Sequence, residues 1–280
     1  MRVAFLGPAG TFTEEALRAS APTALGASYE PAPLPTVYET VMSVQQGDAD
    51  RAVVPIENSL EGGVAATLDA LAGEAEDVRI AAEVVHPITH CLIARERIEL
   101  SEVRLVVSHP QAMAQCARYL RERMPAAERS SAVSTAEAIR QAVGAEAPVA
   151  AIGARLAAEL YGGTVLAEGI EDKAGNLTRF VWLAPAGAEQ RGEPSKTSVV
   201  FWGFNDESPG ALVAVLSEFS ERGINLTRIE SRPRRMRLGH YMFFADLEGS
   251  TGEQRVREAL DAMASRVETL RVLGSYPAAA

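Results

Sequence analysis

Short apolar runs alternate with amphipathic stretches along the first two-thirds of the chain, and polar or glycine-rich corners join them. Val3 to Leu6 runs into Gly7-Pro8-Ala9-Gly10-Thr11, after which Glu14, Ala16 and Leu17 mark a helix. Thr11 and Glu14 have the spacing of a capping box, in which hydroxyl and carboxylate satisfy free amides of the first turn. Arg51 to Val54 runs into Pro55-Ile56-Glu57-Asn58-Ser59 and Gly62-Gly63, followed by a helix through Leu68 and Leu71. Arg104 to Val107 leads to Ser108-His109-Pro110-Gln111 and a helix with Met113, Cys116 and Leu120. Ser108 is a natural N-cap there, and Pro110 suits a first turn. Val149 to Ile152 enters a helix around Leu156 and Leu160. Strands alternating with helices predict mostly parallel α/β sheets, where ligands bind as strand ends meet helix N-termini. Phe180-Val181-Trp182-Leu183 reads as a strand returning to the first of these units.

The pattern breaks from Ala184-Pro185-Ala186-Gly187 to Gly192-Glu193-Pro194, a stretch without apolar periodicity that reads as a linker. Beyond it the order becomes strand, helix, strand, strand, helix, strand. Val199, Phe201, Trp202 and Phe204 supply the first strand, and Leu212, Val215, Leu216 and Phe219 recur at helical spacing. Ile224 to Ile229 and Tyr241 to Leu247 form the middle strands; Val256, Leu260, Met263 and Val267 form a helix, and Leu270 to Leu273 the last strand. This is a split βαβ arrangement.

A length of 280 residues allows about two domains. The net charge of −10 argues against nucleic acid or an anionic membrane as partner, because both are polyanions. The apolar stretch before Gly7 is too short for a signal segment, and no long apolar run follows, so a cytoplasmic location is expected. Cys91 and Cys116 make no disulfide framework. Among four histidines, His86 and His90 beside Cys91 are the cluster to test for metal. On a strand those two would stand roughly 13 Å apart, too far to share an ion, and half-buried strand histidines are expected instead.

Candidate chemistry lies at the corners. Gly7 to Thr11 can turn backbone amides toward an anion, or can be a structural tight turn. Glu57, Asn58 and Ser59 set a carboxylate, an amide and a hydroxyl at one strand end, or cap the next helix. Ser108 with His109 lacks a Gly-x-Ser-x-Gly context, so a nucleophile–base pair does not follow from adjacency. Thr178-Arg179-Phe180 opens a strand after Asp172-Lys173-Ala174-Gly175-Asn176.

Taken together, Gly7 to Glu14, Pro55 to Gly62, Ser108-His109-Pro110-Gln111 and Thr178-Arg179-Phe180 resemble the signature blocks of prephenate dehydratases. Pro209-Gly210-Ala211-Leu212-Val213 and Glu230-Ser231-Arg232-Pro233 look like the effector motifs of that family's ACT domain. The blocks run in order along nearly the whole chain, and the likeness is to the monofunctional enzyme. The resemblance implies a catalytic domain over 1–185, built from two α/β subdomains like the type II periplasmic binding-protein fold with a central cleft. Subdomain 1 would take about 1–78 and 168–185, and subdomain 2 about 79–167. A linker over 186–194 and a ferredoxin-like βαββαβ ACT domain over 195–280 would follow.

The implied activity is conversion of prephenate to phenylpyruvate with loss of CO2 and water, without cofactor or metal. By resemblance Thr178 is the essential hydroxyl, and Arg179 is expected to hold the pyruvyl carboxylate through paired hydrogen bonds. Asn58, Ser59 and Gln111 would serve as neutral donors, with Thr11, Phe12, Glu57, Ser108 and Phe180 completing the substrate site. Pro209, Gly210, Ala211, Leu212, Asn225, Leu226, Glu230, Ser231, Arg232 and Pro233 would bind L-phenylalanine between subunits of a homodimer or homotetramer, a dimer of dimers. Arg234, Arg235 and Arg237 read as a solvated loop. Asp206-Glu207 before Pro209, and Leu238 to Tyr241, depart from the family pattern. Two rivals remain open at this point: arogenate dehydratase, the same chemistry on the amino analogue, and a non-enzymatic solute- or amino-acid-binding regulator.

Overall fold

The computed structural model describes residues 1–26, 28–204, 208–236 and 238–279. Asp206, Glu207 and Arg237 lie outside the described residues. The elements run β1 (Arg2–Leu6), α1 (Phe12–Ala24), β2 (Glu30–Leu34), α2 (Val37–Gln45), β3 (Arg51–Asn58), β4 (Gly62–Gly63), α3 (Ala65–Ala72) and β5 (Val78–Pro87). Then come β6 (Cys91–Ala94), β7 (Leu105–Ser108), α4 (Pro110–Gln115), α5 (Ala117–Arg123), β8 (Glu128–Ser131), α6 (Thr135–Gly144), β9 (Val149–Gly153), α7 (Arg155–Tyr161) and β10 (Thr164–Glu168). The chain then returns as β11 (Leu177–Pro185). The last part is β12 (Lys196–Trp202), α8 (Ala211–Ser220), β13 (Leu226–Pro233), β14 (Tyr241–Glu248), α9 (Gln254–Ala264) and β15 (Thr269–Tyr276).

These elements make two α/β lobes and a third, antiparallel sheet, as expected. The lobe sheets are mixed and not mostly parallel, because β11 returns antiparallel in the first and β6 lies antiparallel between β10 and β9 in the second. The first lobe is ordered β2-β1-β3-β11-β5 with β4 beside β3, and the second β10-β6-β9-β7-β8. In the first, β1 is parallel to β2 and β3, whereas β11 is antiparallel to both neighbours. Ala52, Val53, Val54 and Ile56 of β3 are all buried, as a strand covered on both faces requires. The β5 strand pairs with β11 along its length, so the lobe boundary expected at residue 79 falls inside the first sheet. The second lobe therefore begins with β6. Two stretches cross between the lobes, residues 88–90 and 169–176, and they bond to each other through Ile88 N to Asn176 O at 2.8 Å.

Several local expectations shift. The Thr11 hydroxyl donates to Leu6 O at 3.0 Å and does not cap α1, while Glu14 reaches back to Gly10 N at 2.6 Å. Ser108 donates to Ile152 O, a neighbouring-strand carbonyl, and His109 caps α4 instead. Neither β2 nor α2 was expected. Pro31 and Pro33 hide β2, an edge strand where missing donors are tolerated. Val37, Val41 and Val44 do carry a helical spacing.

The third sheet has the order β13-β14-β12-β15, with α8 and α9 on one face. Its other face lies on the first lobe. Val200, Phe244, Leu273 and Tyr276 share one buried cluster with Ala52, Val54, Ile80 and Val181, so the linker joins units with a common core. Arg271 from β15 donates to Ala72 O at 2.9 Å and Ala75 O at 3.2 Å, closing the C-terminus of α3. Gly274 lies against β5 so closely that a Cβ there would stand 2.2 Å from the Ile80 carbonyl oxygen. Gly274→Ala should therefore push the sheets apart and cost about 1–3 kcal/mol, the usual scale of overpacking. Urea unfolding measures it; an unchanged midpoint would mean that the interface yields freely.

A candidate active site between the lobes

A cavity of about 310 Å³ opens between the two lobes. Thr11, Phe12, Asn58, Gln111, Thr178 and Phe180 line it, together with His90, His109, Gln115, Thr135 and Asn176. The strand register brings its centre together. Thr178 is the direct cross-strand partner of Asn58, from stretches of chain far apart in sequence. Pro55 has no N–H to give the ladder, and the pairing skips Ile56 before Phe180 meets Pro55. Such a bulge re-aims side chains locally.

Asn58 is oriented by its surroundings. Its Oδ1 accepts from Leu60 N at 2.9 Å and Glu61 N at 3.1 Å, leaving Nδ2 to donate to Asn176 Oδ1 at 2.7 Å and Thr178 Oγ1 at 2.8 Å. Because Thr178 Oγ1 accepts that bond, its own proton is free for a ligand in the cavity. Asn176 Nδ2 donates to Gln115 Oε1 at 3.3 Å, and His90 Nε2 lies 2.9 Å from the same oxygen. Gln115 Nε2 in turn donates to Glu61 Oε1 at 3.2 Å. A hydrogen-bonded chain of amides thus ties α4 of the second lobe to the Asn58 corner of the first.

Helix starts surround the rest. Thr11, Phe12 and Thr13 open α1, Val64 precedes α3, Gln111 lies in the first turn of α4, and Thr135 begins α6. Thr11 and Val64 leave the first-turn amides of α1 and α3 uncapped by side chains. The described residues lining the cavity include no lysine, arginine, aspartate or glutamate. Amide dipoles therefore set its electrostatics, favouring an anion. The lobes are drawn together beside it by Tyr161 Oη donating to Ala9 O at 2.7 Å and by Leu156 N donating to Glu15 Oε1 at 3.1 Å. Gly10, at φ +84°, has α7 against it: a Cβ would meet Ala157 at 2.9 Å.

The remaining sequence candidates lie elsewhere. Arg179 follows Thr178 on β11 and so points to the opposite face of the sheet, the general consequence of strand alternation. Its guanidinium is 2.6 Å from Asp246 and 3.2 Å from Glu83 and Glu57, away from the cavity where a carboxylate grip was expected. Glu57 shares that face. Ser59 Oγ accepts from Leu177 N at 3.0 Å, lacing its corner to β11, and Ser108 is held by Ile152 O. Neither lines the cavity. In the third sheet, Glu230 abuts Gly63, and Arg232 donates to both oxygens of Asp69 on α3 at 2.8 and 2.9 Å. Those two side chains face the first lobe, not solvent or a pocket of their own sheet.

Sequence reasoning missed His90, Gln115 and Asn176. Two of them stand on the inter-lobe crossings, and polar residues at such crossings are the available signal. His90 is 2% exposed and not on a strand; Phe12 packs edge-on against it, and Nδ1 has no hydrogen-bond partner within the protein. Among the described residues no group of histidine, cysteine, aspartate or glutamate could hold a metal ion.

The family described as "Prephenate dehydratase" matches residues 3–188, and the "ACT domain" matches 199–264. A prephenate dehydratase of Mycobacterium tuberculosis is 39% identical over 283 residues, spanning 99% of this chain and 87% of that one. The crystal structure of prephenate dehydratase in complex with L-Phe from Arthrobacter aurescens superposes with a TM-score of 0.88 at 41% identity, covering 99% of this chain and 90% of that one. GqqA, described as a novel type of quorum quenching acylase, gives a TM-score of 0.86 at 30% identity, covering 99% and 98%.

Burial lowers the pKa of His90, a shift that Gln115 and Glu171 oppose. The folded protein thus refuses a proton that the unfolded chain accepts below about pH 6.5, so stability falls as pH drops through that value. Wild type should lose up to about 1.4 kcal/mol per pH unit below 6.5 from this group. Urea midpoints at pH 7.5 and 5.5, against those of His90→Gln, isolate the contribution; identical pH dependence in both would place no buried neutral imidazole there.

Proposed function

The chain belongs to the prephenate dehydratase family, and from that premise we propose how its cleft converts prephenate to phenylpyruvate. The substrate carries two carboxylates and a ring hydroxyl. The electron pair of the C–CO2 bond enters the ring, the C–O bond at the opposite ring carbon breaks, and the departing hydroxyl leaves as water with an added proton. Aromatisation supplies the driving force. The protein has to hold the dianion, hydrogen-bond the leaving oxygen and exclude bulk water.

One observation carries the assignment: the Asn58–Thr178 register pair presents a hydroxyl whose oxygen is already occupied by an amide N–H. That leaves the O–H as donor to the leaving oxygen. A threonine hydroxyl without a base partner is a weak acid, so Thr178 orients and hydrogen-bonds that oxygen while the proton comes through it from elsewhere. The carboxylates take the uncapped helix starts of α1 and α3, together with the Gln111 side-chain amide. Each such terminus contributes on the order of 0.3–1 kcal/mol, and up to about 2 kcal/mol when partly buried. Neutral donors suit the carboxylate that departs, because an arginine there would stabilise the ground state and raise the barrier.

The cleft favours the keto substrate over its amino analogue. An ammonium would shed its hydration with no aspartate or glutamate among the described lining residues to offset the cost. The likeness to GqqA raises acyl transfer as a second reading. That chemistry needs an activated nucleophile, and Thr178 accepts a hydrogen bond from an amide instead of donating to a base.

L-phenylalanine is the effector by this reading, at the ACT sheet. Gly210 starts α8 in the left-handed conformation with open space around it, and Asn225 and Leu226 follow the other end of the helix. Ten residues at 1.5 Å each separate the two motifs by about 15 Å within one chain. A second copy brings them together, so the effector site of Pro209 to Leu212 with Asn225 and Leu226 belongs to a homodimer or homotetramer. Glu230 and Arg232 contribute to it by holding β13 on the first lobe, with Ser231 and Pro233 beside them on the same strand. No helix among the described residues is long and apolar enough to cross a membrane. Two buried, unpaired cysteines fit the cytoplasm, a reducing compartment.

Pure protein incubated with prephenate should release phenylpyruvate, slow in the presence of L-phenylalanine, and prefer prephenate to arogenate. Binding without turnover would leave a solute-binding protein, and amide hydrolysis without dehydration would leave the acylase. Thr178→Val exchanges a hydroxyl for a methyl and should lower kcat at least about 100-fold with the fold intact. Wild-type kcat in that variant would remove Thr178 from the mechanism.

A further inference from the structure

Arg179 is adjacent to the reacting hydroxyl yet turned away from it, into a buried cluster of charge. The Asp246 side chain, 2% exposed, comes from β14 of the ACT sheet, and Glu83, 1% exposed, from β5. Lys196 of β12 neutralises the second oxygen of Glu83. Asp246 is itself held from behind, since its other oxygen accepts from Ser198 Oγ, which lies 2.6 Å from Tyr276 Oη. Burial opposes the charge on Arg179, but Asp246 and its other acidic neighbours outweigh that and raise its pKa. Glu57 approaches Arg179 Nε at 3.2 Å and also faces Arg228 of β13 at 3.6 Å. The corner that bears Asn58 and the strand that bears Thr178 thus both attach to the ACT sheet through one guanidinium.

We propose that Arg179 is a positioning residue: the ACT domain, through Asp246, holds β11 so that Thr178 meets Asn58 and the substrate. A shift of β14 relative to the lobe moves Arg179, and with it the neighbouring residue across the bulged ladder at Glu57 and Pro55. Effector binding at the ACT sheet lowers turnover by this route, because a catalytic group displaced by an ångström loses most of its effect. Arg179 acts on the reaction without touching substrate. This rests on the function given above and identifies how its regulation reaches the chemistry.

The test is steady-state kinetics on the full-length chain with prephenate, with and without L-phenylalanine. Wild type comes first: absence of turnover defeats the assigned function and not this coupling. Asp246→Asn keeps the side chain's shape and removes its charge; kcat should fall at least about tenfold with KM within about twofold, and inhibition by L-phenylalanine should weaken. Arg179→Lys should do the same, and the double variant should lose no more kcat than the worse single, because both break one link. Tyr276→Phe, a single hydroxyl removed behind Asp246, gives the same direction at a few-fold, and it stands in if Asp246→Asn fails to fold. A rise in KM at constant kcat would make Arg179 a substrate ligand and overturn the proposal. Unchanged kcat and inhibition, or additive losses in the double variant, would overturn it equally.

Discussion

The site depends on the insertion of one late strand into an early sheet. β11 enters between β3 and β5, antiparallel to both, and its register fixes Thr178 opposite Asn58. A slip of one residue would turn every side chain to the other face. Phe180 and Trp182 would leave the cluster around Phe5 and Leu17, and Val181 and Leu183 would leave the core shared with the ACT sheet. Burial on both faces is what makes the register strict.

That strand separates two electrostatic worlds. On the cavity side the described lining carries no lysine, arginine, aspartate or glutamate, and amide dipoles at helix starts provide positive potential. On the far side full charges are buried, with Arg179, Glu83 and Asp246 all nearly inaccessible. Buried ion pairs bring little net stability, because desolvation offsets their attraction. They do impose geometry, since an unpaired partner left behind in the interior is costly. A dianion that must release one carboxylate is served better by the neutral side, and a fixed relation between domains by the charged side.

The ACT sheet is correspondingly more than an appended sensor. Its inner face completes the first lobe's core through Val200, Phe244, Leu273 and Tyr276, and β13 places Arg232 on α3 and Glu230 against Gly63. The α3 helix begins just after Val64, a wall of the cavity, and ends under Arg271. Two elements of the site therefore rest on the regulatory sheet, which gives any change there a short path to the chemistry.

Local pattern and short motifs determined a good deal from the sequence alone. Strand–helix alternation predicted the α/β lobes, helical and strand periodicities beyond residue 195 predicted the split βαβ sheet, and the blocks at Asn58, Gln111 and Thr178 named residues that do meet in one cavity. These signals are local, or depend on residue type at fixed spacing. Facing direction and partner choice are not. The side of the sheet taken by Arg179 follows from Thr178 facing the cavity, and the acidic partners at 83 and 246 come from strands far away in sequence. Ser59 and Ser108 look like site residues by type, but backbone groups brought to them by neighbouring strands use their hydroxyls. His90, Gln115 and Asn176 became visible when the two crossing segments and α4 converged. Tertiary structure decided these points because hydrogen-bond partners and exposure belong to neighbours in space, which a linear pattern does not encode.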